Sequence, residues 1–259
     1  MRQPVAIVSR DNPLLVRLRK LARTPTAYRK VDAVWLEGEH LCQALRSRRR
    51  AAVQALLSES AWQQPSLREL AAWAPRVAVV ADALFAGVSS LESPAGIGFV
   101  IDLPTAPTLQ PGVPSVVLDR VQDAGNVGSI LRSASALGFG QVLALQGSAA
   151  LWSPKVLRAG MGAHFALNLI EGLALDDLAV LEMPLLAGSS HAGTVLDAAA
   201  LPYPCAWVFG HEGQGVAPEL LVRCAQTLRI PQPGGEESLN VAAAAAICLY
   251  ATRQAGAYA

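Results

Sequence analysis

Three short turns hold the polar side chains best placed for chemistry: DAGNVGS (123–129), GHEGQG (210–215) and PGGEESLN (233–240). Each sets Asn, Asp, Glu, Gln or Ser among glycines, which lack a Cβ and so let backbone approach a ligand closely or take positive φ. The third turn runs straight into VAAAAAICLY (241–250), an alanine-rich helix pattern. Ser238 has the chemistry of an N-cap for that helix, with Glu236 and Glu237 at the positive end of its dipole. Asn240 has no such account, because Asn is a poor helix former inside a first turn. Asn126 in the first turn also has the chemistry of a cap.

Other site chemistries find no support. The dinucleotide fingerprint is absent; RAGMGAHF (158–165) matches it only in part, and there is no Walker A sequence. His40, His164, His191 and His211 lack the spacing of metal ligands or of a Ser-His-Asp set. Cys42, Cys205, Cys224 and Cys248 form no CxxC or Cys/His cluster, so they read as small buried apolar residues and no metal is expected.

The turns need a scaffold, and the apolar pattern supplies one. At 259 residues, 52% hydrophobic and with a mean hydropathy of +0.33, the chain has enough material for one large or two ordinary cores. The stretch IDLPTAPTLQPGVPS (101–115) interrupts the periodic pattern with four prolines and a glycine. The expected organisation is therefore a small α/β domain over 1–103, a linker over 104–114 and a second domain over 115–259. In the first half, AVWLEG, VQALLS, RVAVVA and GIGFVI alternate with helical patterns at 12–22, 39–46 and 66–73. In the second, SVVLDRV, a helix from about Val127 to Leu137, QVLAL, a helix from about Pro154, ALNLI, PLLAGS, AWVFG, a helix from about Pro218 and TLRIP precede the alanine-rich helix. Near-continuous apolar strands alternating with helices predict a mainly parallel sheet covered on both faces. In such sheets ligands collect beyond the carboxyl ends of the strands, where the three turns fall.

Charge is uneven. Residues 1–105 hold 14 Lys and Arg against 9 Asp and Glu; residues 106–259 hold 7 against 11. The basic excess concentrates in RLRKLARTPTAYRK (17–30) and RSRRR (46–50), a footprint suited either to phosphate contacts or to a solvated helix face. The longest uncharged apolar run, Val241 to Thr252, is too short for a bilayer, and MRQPVAIVSRDNP lacks the apolar core of a signal peptide. A cytoplasmic protein without a membrane partner is expected.

The order of the turns carries a resemblance. DRVQDAGNVGSILRSASALGFGQVLAL, AWVFGHEGQGV and LRIPQPGGEESLNVAAAAAICLY closely resemble the three motifs of the SpoU (TrmH) branch of the SPOUT RNA methyltransferases, and SPKVLRAGMGAHF is similar to that family between them. VSRDNPLLVRLRKLA and VWLEGEHLCQAL resemble the substrate-binding domain fused to many members, a fold shared with a small ribosomal protein. The resemblance implies transfer of a methyl group from S-adenosylmethionine (AdoMet) to a ribose 2′-hydroxyl of RNA. It also implies a catalytic domain whose C-terminal segment threads a deep trefoil knot, a homodimer, and an RNA-binding α/β domain before it.

Carried over by motif, the resemblance assigns catalytic roles to Asn126, Arg132, Glu212, Ser238 and Asn240, and cofactor contacts to Gly210, Ile230 and Leu239. The family's Arg is often taken as the base, yet a guanidinium is effectively never deprotonated in proteins. Arg132 is therefore expected to hold a phosphate and the 2′-oxygen, stabilising developing negative charge. Two positions depart from the family pattern: His211 stands where Asn is common, and Gly160 where Ser is frequent. The fused N-terminal domain favours rRNA, of the large subunit, over tRNA. The competing class is an RNA-binding or ribosome-assembly protein on the same fold without turnover.

Overall fold

Apolar runs bounded by turns become strands, and this computed structural model describes residues 3–105, 107–190, 192–235 and 238–257 in two units. His191, and the Glu236 and Glu237 expected at a helix dipole, lie outside the described residues.

The first unit holds the chain up to Thr105 together with residues 152–165. In order it forms β1 (Val5–Ile7), α1 (Pro13–Arg23), α2 (Ala27–Val31), β2 (Ala33–Glu37), α3 (Glu39–Ser47), β3 (Gln54–Ser58), α4 (Glu59–Trp62), α5 (Pro65–Ala71), β4 (Val77–Val80), α6 (Asp82–Val88) and β5 (Ile97–Asp102). The sheet order is β1-β4-β3-β5-β2, parallel through β1, β4 and β3, with β5 antiparallel to β3 and β2. Asn12 caps α1 by accepting from the Leu14 N–H at 2.9 Å, and Pro13 starts the helix with its φ already set. Leu15, Leu18, Leu21 and Ala22 bury one face, which leaves Arg17, Lys20 and Arg23 outside. Arg17, Arg19 and Arg23 donate to the carbonyls of Val31, Arg10 and Gly87, and Arg46 pairs with Glu69 at 3.0 Å. A carbonyl partner leaves the cation's charge intact. Both basic segments thus keep exposed positive charge, including Lys20, Lys30, Arg48 and Arg49, which have no side-chain partner among the described residues.

The second unit begins with β6 (Ser115–Asp119), α7 (Ala124–Ala136) and β7 (Gln141–Leu145); α8 (Pro154–Gly160) then belongs to the first unit, although it follows the proline-rich stretch. The second unit continues with β8 (Asn168–Leu173), β9 (Leu185–Ser189), β10 (Thr194–Val195), β11 (Ala206–Gly210), α9 (Pro218–Leu221), β12 (Gln226–Arg229) and α10 (Val241–Ala257). Its seven strands run β10-β12-β9-β11-β6-β7-β8, every ladder parallel, as the continuous apolar runs predict. Val117, Leu143, Ile170, Ala187 and Val208 bury one face against Leu178, Leu181 and Leu220. Toward the helices, α10 packs on α7 and β11, and the Trp207 indole donates to Thr252 Oγ1 at 2.8 Å. β6 and β11 lie side by side with Asp119 opposite Gly210, so the first two polar turns leave the sheet together.

Several boundaries shift by a residue or two, and that of α7 by three. The helix expected from Val127 starts at Ala124, because the Asp123 carboxylate takes the Asn126 backbone N–H at 2.8 Å and is the cap. Cys42, Cys205 and Cys248 are buried, and burial pushes the Cys205 and Cys248 thiols up to about 12. Among the described residues no helix is long and apolar enough to cross a membrane.

Candidate active site

With Asp123 capping α7, the Asn126 side chain is free to face the second turn. Its Nδ2 donates to Glu212 Oε1 at 3.1 Å. The Asp123 N–H reaches the same oxygen at 3.1 Å, and the Gln122 N–H reaches Oε2 at 3.3 Å. On the other side of Asn126, Asn240 Nδ2 donates to its Oδ1 at 2.9 Å. Asn240 Oδ1 in turn accepts from the backbone N–H groups of Ala242 and Ala243 at 2.9 and 3.3 Å.

The polarity of this relay is fixed at both ends. A carboxylate only accepts, so Asn126 must present its NH₂ to Glu212 and its oxygen to Asn240. A helix start offers only unpaired N–H groups, so Asn240 must present its oxygen to α10 and its NH₂ to Asn126. One chain of hydrogen bonds therefore joins all three turns. Asn240 is also the residue that caps α10. The cap reading of Ser238 is corrected, because the helix begins one residue after Asn240 and Asn240 supplies the oxygen. Asn126 is likewise not a cap.

Glu212 is held ionised. Partial burial pushes its carboxyl up, but the Asn126 side chain and the N–H groups of Asp123, Glu212 itself and Gln122 outweigh this and hold it below the ordinary glutamate value. Its loop is a tight return: His211 and Gly215 exchange backbone hydrogen bonds at 3.0 and 2.8 Å, and Gly215 sits at φ +69°. His211 Nδ1 faces the N–H groups of Gly213 at 3.0 Å and Gln214 at 3.3 Å, so it is the unprotonated ring nitrogen. Imidazole Nδ1 serves here as an acceptor inside a turn, which a carboxamide oxygen can also supply. That is the physical reason a histidine fits where Asn is the commoner residue. A Cβ on Gly210 would lie 2.1 Å from the carbonyl carbon of Gly215; the close approach Gly210 permits is to the loop's own backbone.

Two residues next to these were not singled out from sequence. Asp119, buried at the end of β6, accepts from the Ala217 N–H at 2.7 Å and from Arg120 at 3.0 and 3.2 Å. Arg120 also reaches the Gln214 carboxamide oxygen at 3.0 Å and the Gly215 carbonyl at 3.5 Å. A carboxylate closing the apolar run SVVLD, at the carboxyl end of a strand, is the signal that points to Asp119.

The remaining expected residues stand apart from the relay. Arg132 lies six residues beyond Asn126 on α7, about 120° round the helix at 3.6 residues per turn. It is exposed and has no hydrogen bond or ion pair among the described residues. Ser238 is exposed and likewise without a side-chain bond among them. Leu239 leaves 39% of its surface open and Ile230 is half-buried. Gln232 Oε1, two residues beyond Ile230, is a buried acceptor without a donor among the described residues. Leu239 offers an open apolar surface in the third turn, and Gly235 takes φ +78° there.

Comparison with known proteins gives the family and the fold. The model of the SpoU rRNA methylase family matches residues 114–250. The 23S rRNA (guanosine(2553)-2′-O)-methyltransferase RlmP of Bacillus subtilis is 30% identical over 86% of this chain and 90% of its own length. The structure of a TrmH-family RNA methyltransferase from Porphyromonas gingivalis superposes with a TM-score of 0.82 at 29% identity, covering 94% of this chain and 98% of that one. An AdoMet-bound rRNA methyltransferase from Sinorhizobium meliloti shares the fold, with a TM-score of 0.84 at 24% identity over 98% of both chains. The chain belongs to the SpoU rRNA methylase family of RNA methyltransferases.

Proposed function

We propose that the chain transfers the methyl group of AdoMet to the 2′-hydroxyl of a guanosine ribose in large-subunit rRNA, and does so as a homodimer. The hydrogen-bonded relay Glu212–Asn126–Asn240 carries this reading, because it ties together the three turns on which the family's chemistry depends. The guanosine and the large subunit follow the substrate that the Bacillus subtilis relative is named for. Gly210, Ile230 and Leu239 are read as the cofactor wall, as the family resemblance implies, and the 39% exposure of Leu239 supports that reading. The sheet order, in which β12 lies between β9 and β10 before the chain returns as α10, supports the trefoil knot.

AdoMet supplies an electrophilic methyl group, so the protein's task is to align a ribose oxygen and stabilise the charge that develops on it. Arg132 is the group for that charge. Arg120 already uses its guanidinium on Asp119, Gln214 and Gly215, whereas the donors of Arg132 remain for a phosphate and the 2′-oxygen. Glu212, an acceptor only, keeps Asn126 oriented; Asn126 keeps Asn240 oriented; Asn240 fixes the start of α10 and with it the approach of Leu239 and Ser238. The exposed cations of the first unit bind structured RNA through its phosphates. The dimer reading rests on Ala243, Ile247 and Tyr250, spaced as one helical stripe, with Ile247 41% and Tyr250 56% exposed.

Calorimetry with AdoMet, followed by transfer of a labelled methyl group to ribosomal RNA from a strain lacking the gene, tests the proposal. Saturable binding and one labelled 23S position are expected. Absence of AdoMet binding would leave the non-catalytic RNA-binding reading in its place.

A further inference from the structure

The loop that carries Glu212 is gripped on its far side by a pair that takes no part in the relay. Asp119 holds the loop's exit through the Ala217 N–H at 2.7 Å, and Arg120 holds its tip through Gln214 at 3.0 Å and Gly215 at 3.5 Å. The two side chains are locked to each other by a forked pair of bonds at 3.0 and 3.2 Å, and Asp119 is only 3% exposed. Arg120 takes φ +57°, a backbone conformation unfavourable to a side chain with a Cβ. Gly147 makes room for it: a Cβ there would lie 3.1 Å from Arg120 Cγ. Several features thus converge on one geometry. Loss of the grip would leave His211 and Gly215 to hold the turn closed, with its orientation over Asn126 unset.

We propose that Asp119 and Arg120 are positioning residues for the methyl transfer: the pair sets where Glu212 meets Asn126, and so sets the register of the relay that reaches Asn240. The inference rests on the reading of that relay as the active site. A forked guanidinium is required, because the pair uses Arg120 in at least three directions at once, which a single ammonium cannot reproduce.

The test is the titration of Glu212, followed by NMR in the otherwise intact protein carrying isotope-labelled glutamate. In Arg120→Ala, and more mildly in Gln214→Leu, the Glu212 carboxyl is expected to titrate closer to the ordinary glutamate value, since it drifts off its donors. Arg120→Lys is expected to behave like Arg120→Ala. Methyl transfer to ribosomal RNA should fall on the order of 100-fold in kcat for Arg120→Ala, the scale of a misplacement of about 1 Å, with the KM for RNA little changed. Gln214 is exposed, so Gln214→Leu keeps the test open if Arg120→Ala does not fold. An unshifted Glu212 titration in a folded variant overturns the proposal. A shifted titration with unchanged turnover upholds the grip on Glu212 and overturns the catalytic reading of the relay instead.

Discussion

At the residue scale, each member of the relay has one orientation open to it, and Glu212 is where that orientation is set. Its carboxyl ionises at lower pH in the folded chain than in the unfolded one. The contribution to stability is therefore present above the unfolded value and is lost as pH falls through the folded value. Glu212 is largely exposed, so that contribution is small. Glu212→Gln should flatten this acid-side loss in thermal melts recorded across pH. It should also lower kcat, because a carboxamide can turn its NH₂ toward the donors of Asn126, Asp123 and Gln122. A variant with unchanged turnover and an unchanged acid limb would remove Glu212 from the site. The His211 departure is neutral by the same logic: His211→Asn should retain turnover, while His211→Ala, which leaves the Gly213 and Gln214 N–H groups without their acceptor, should lose part of it.

At the element scale, two helix starts do double service. Asp123 caps α7 and thereby frees Asn126; Asn240 caps α10 and binds Asn126. Asp123→Ala should cost about 1 kcal/mol in denaturant unfolding, the usual worth of a cap, and should also lower turnover as Asn126 is drawn toward the vacant N–H groups. Strands and helices were legible from the apolar runs because parallel, doubly covered strands leave few polar residues to confuse the pattern; β6, β7 and β11 are buried throughout. The start of α7 was not, because Asp123 and Asn126 are both good caps and sequence alone does not choose between them. Asp119 and Arg120 escaped notice for another reason. The partner of Asp119, Ala217, lies 98 residues further along the chain and offers only a backbone N–H, and Arg120 meets Gln214 and Gly215 across a similar gap in sequence. Asn126, Glu212 and Asn240 were reached through the order of three motifs, and the fold brings them within hydrogen-bond distance.

At the scale of the whole molecule, one unit carries exposed cations and the other a parallel sheet whose turns converge. The proline-rich stretch marks that division in sequence, but residues 152–165 return to the first unit, a grouping that no local pattern announces. The exposed stripe of α10 makes a prediction of its own. The wild-type chain should sediment as a dimer and Tyr250→Glu should sediment as a monomer; a monomeric wild type would contradict the homodimer. The central claim, methyl transfer to one ribose of large-subunit rRNA with Arg132 stabilising the charge, is tested most directly by mapping ribose methylation in total RNA from a deletion strain complemented with wild type or Arg132→Ala. The account predicts one 2′-O-methylguanosine in 23S rRNA that is missing in the deletion, restored by wild type and absent with Arg132→Ala. An unchanged map in the deletion strain, or full restoration by Arg132→Ala, would contradict it.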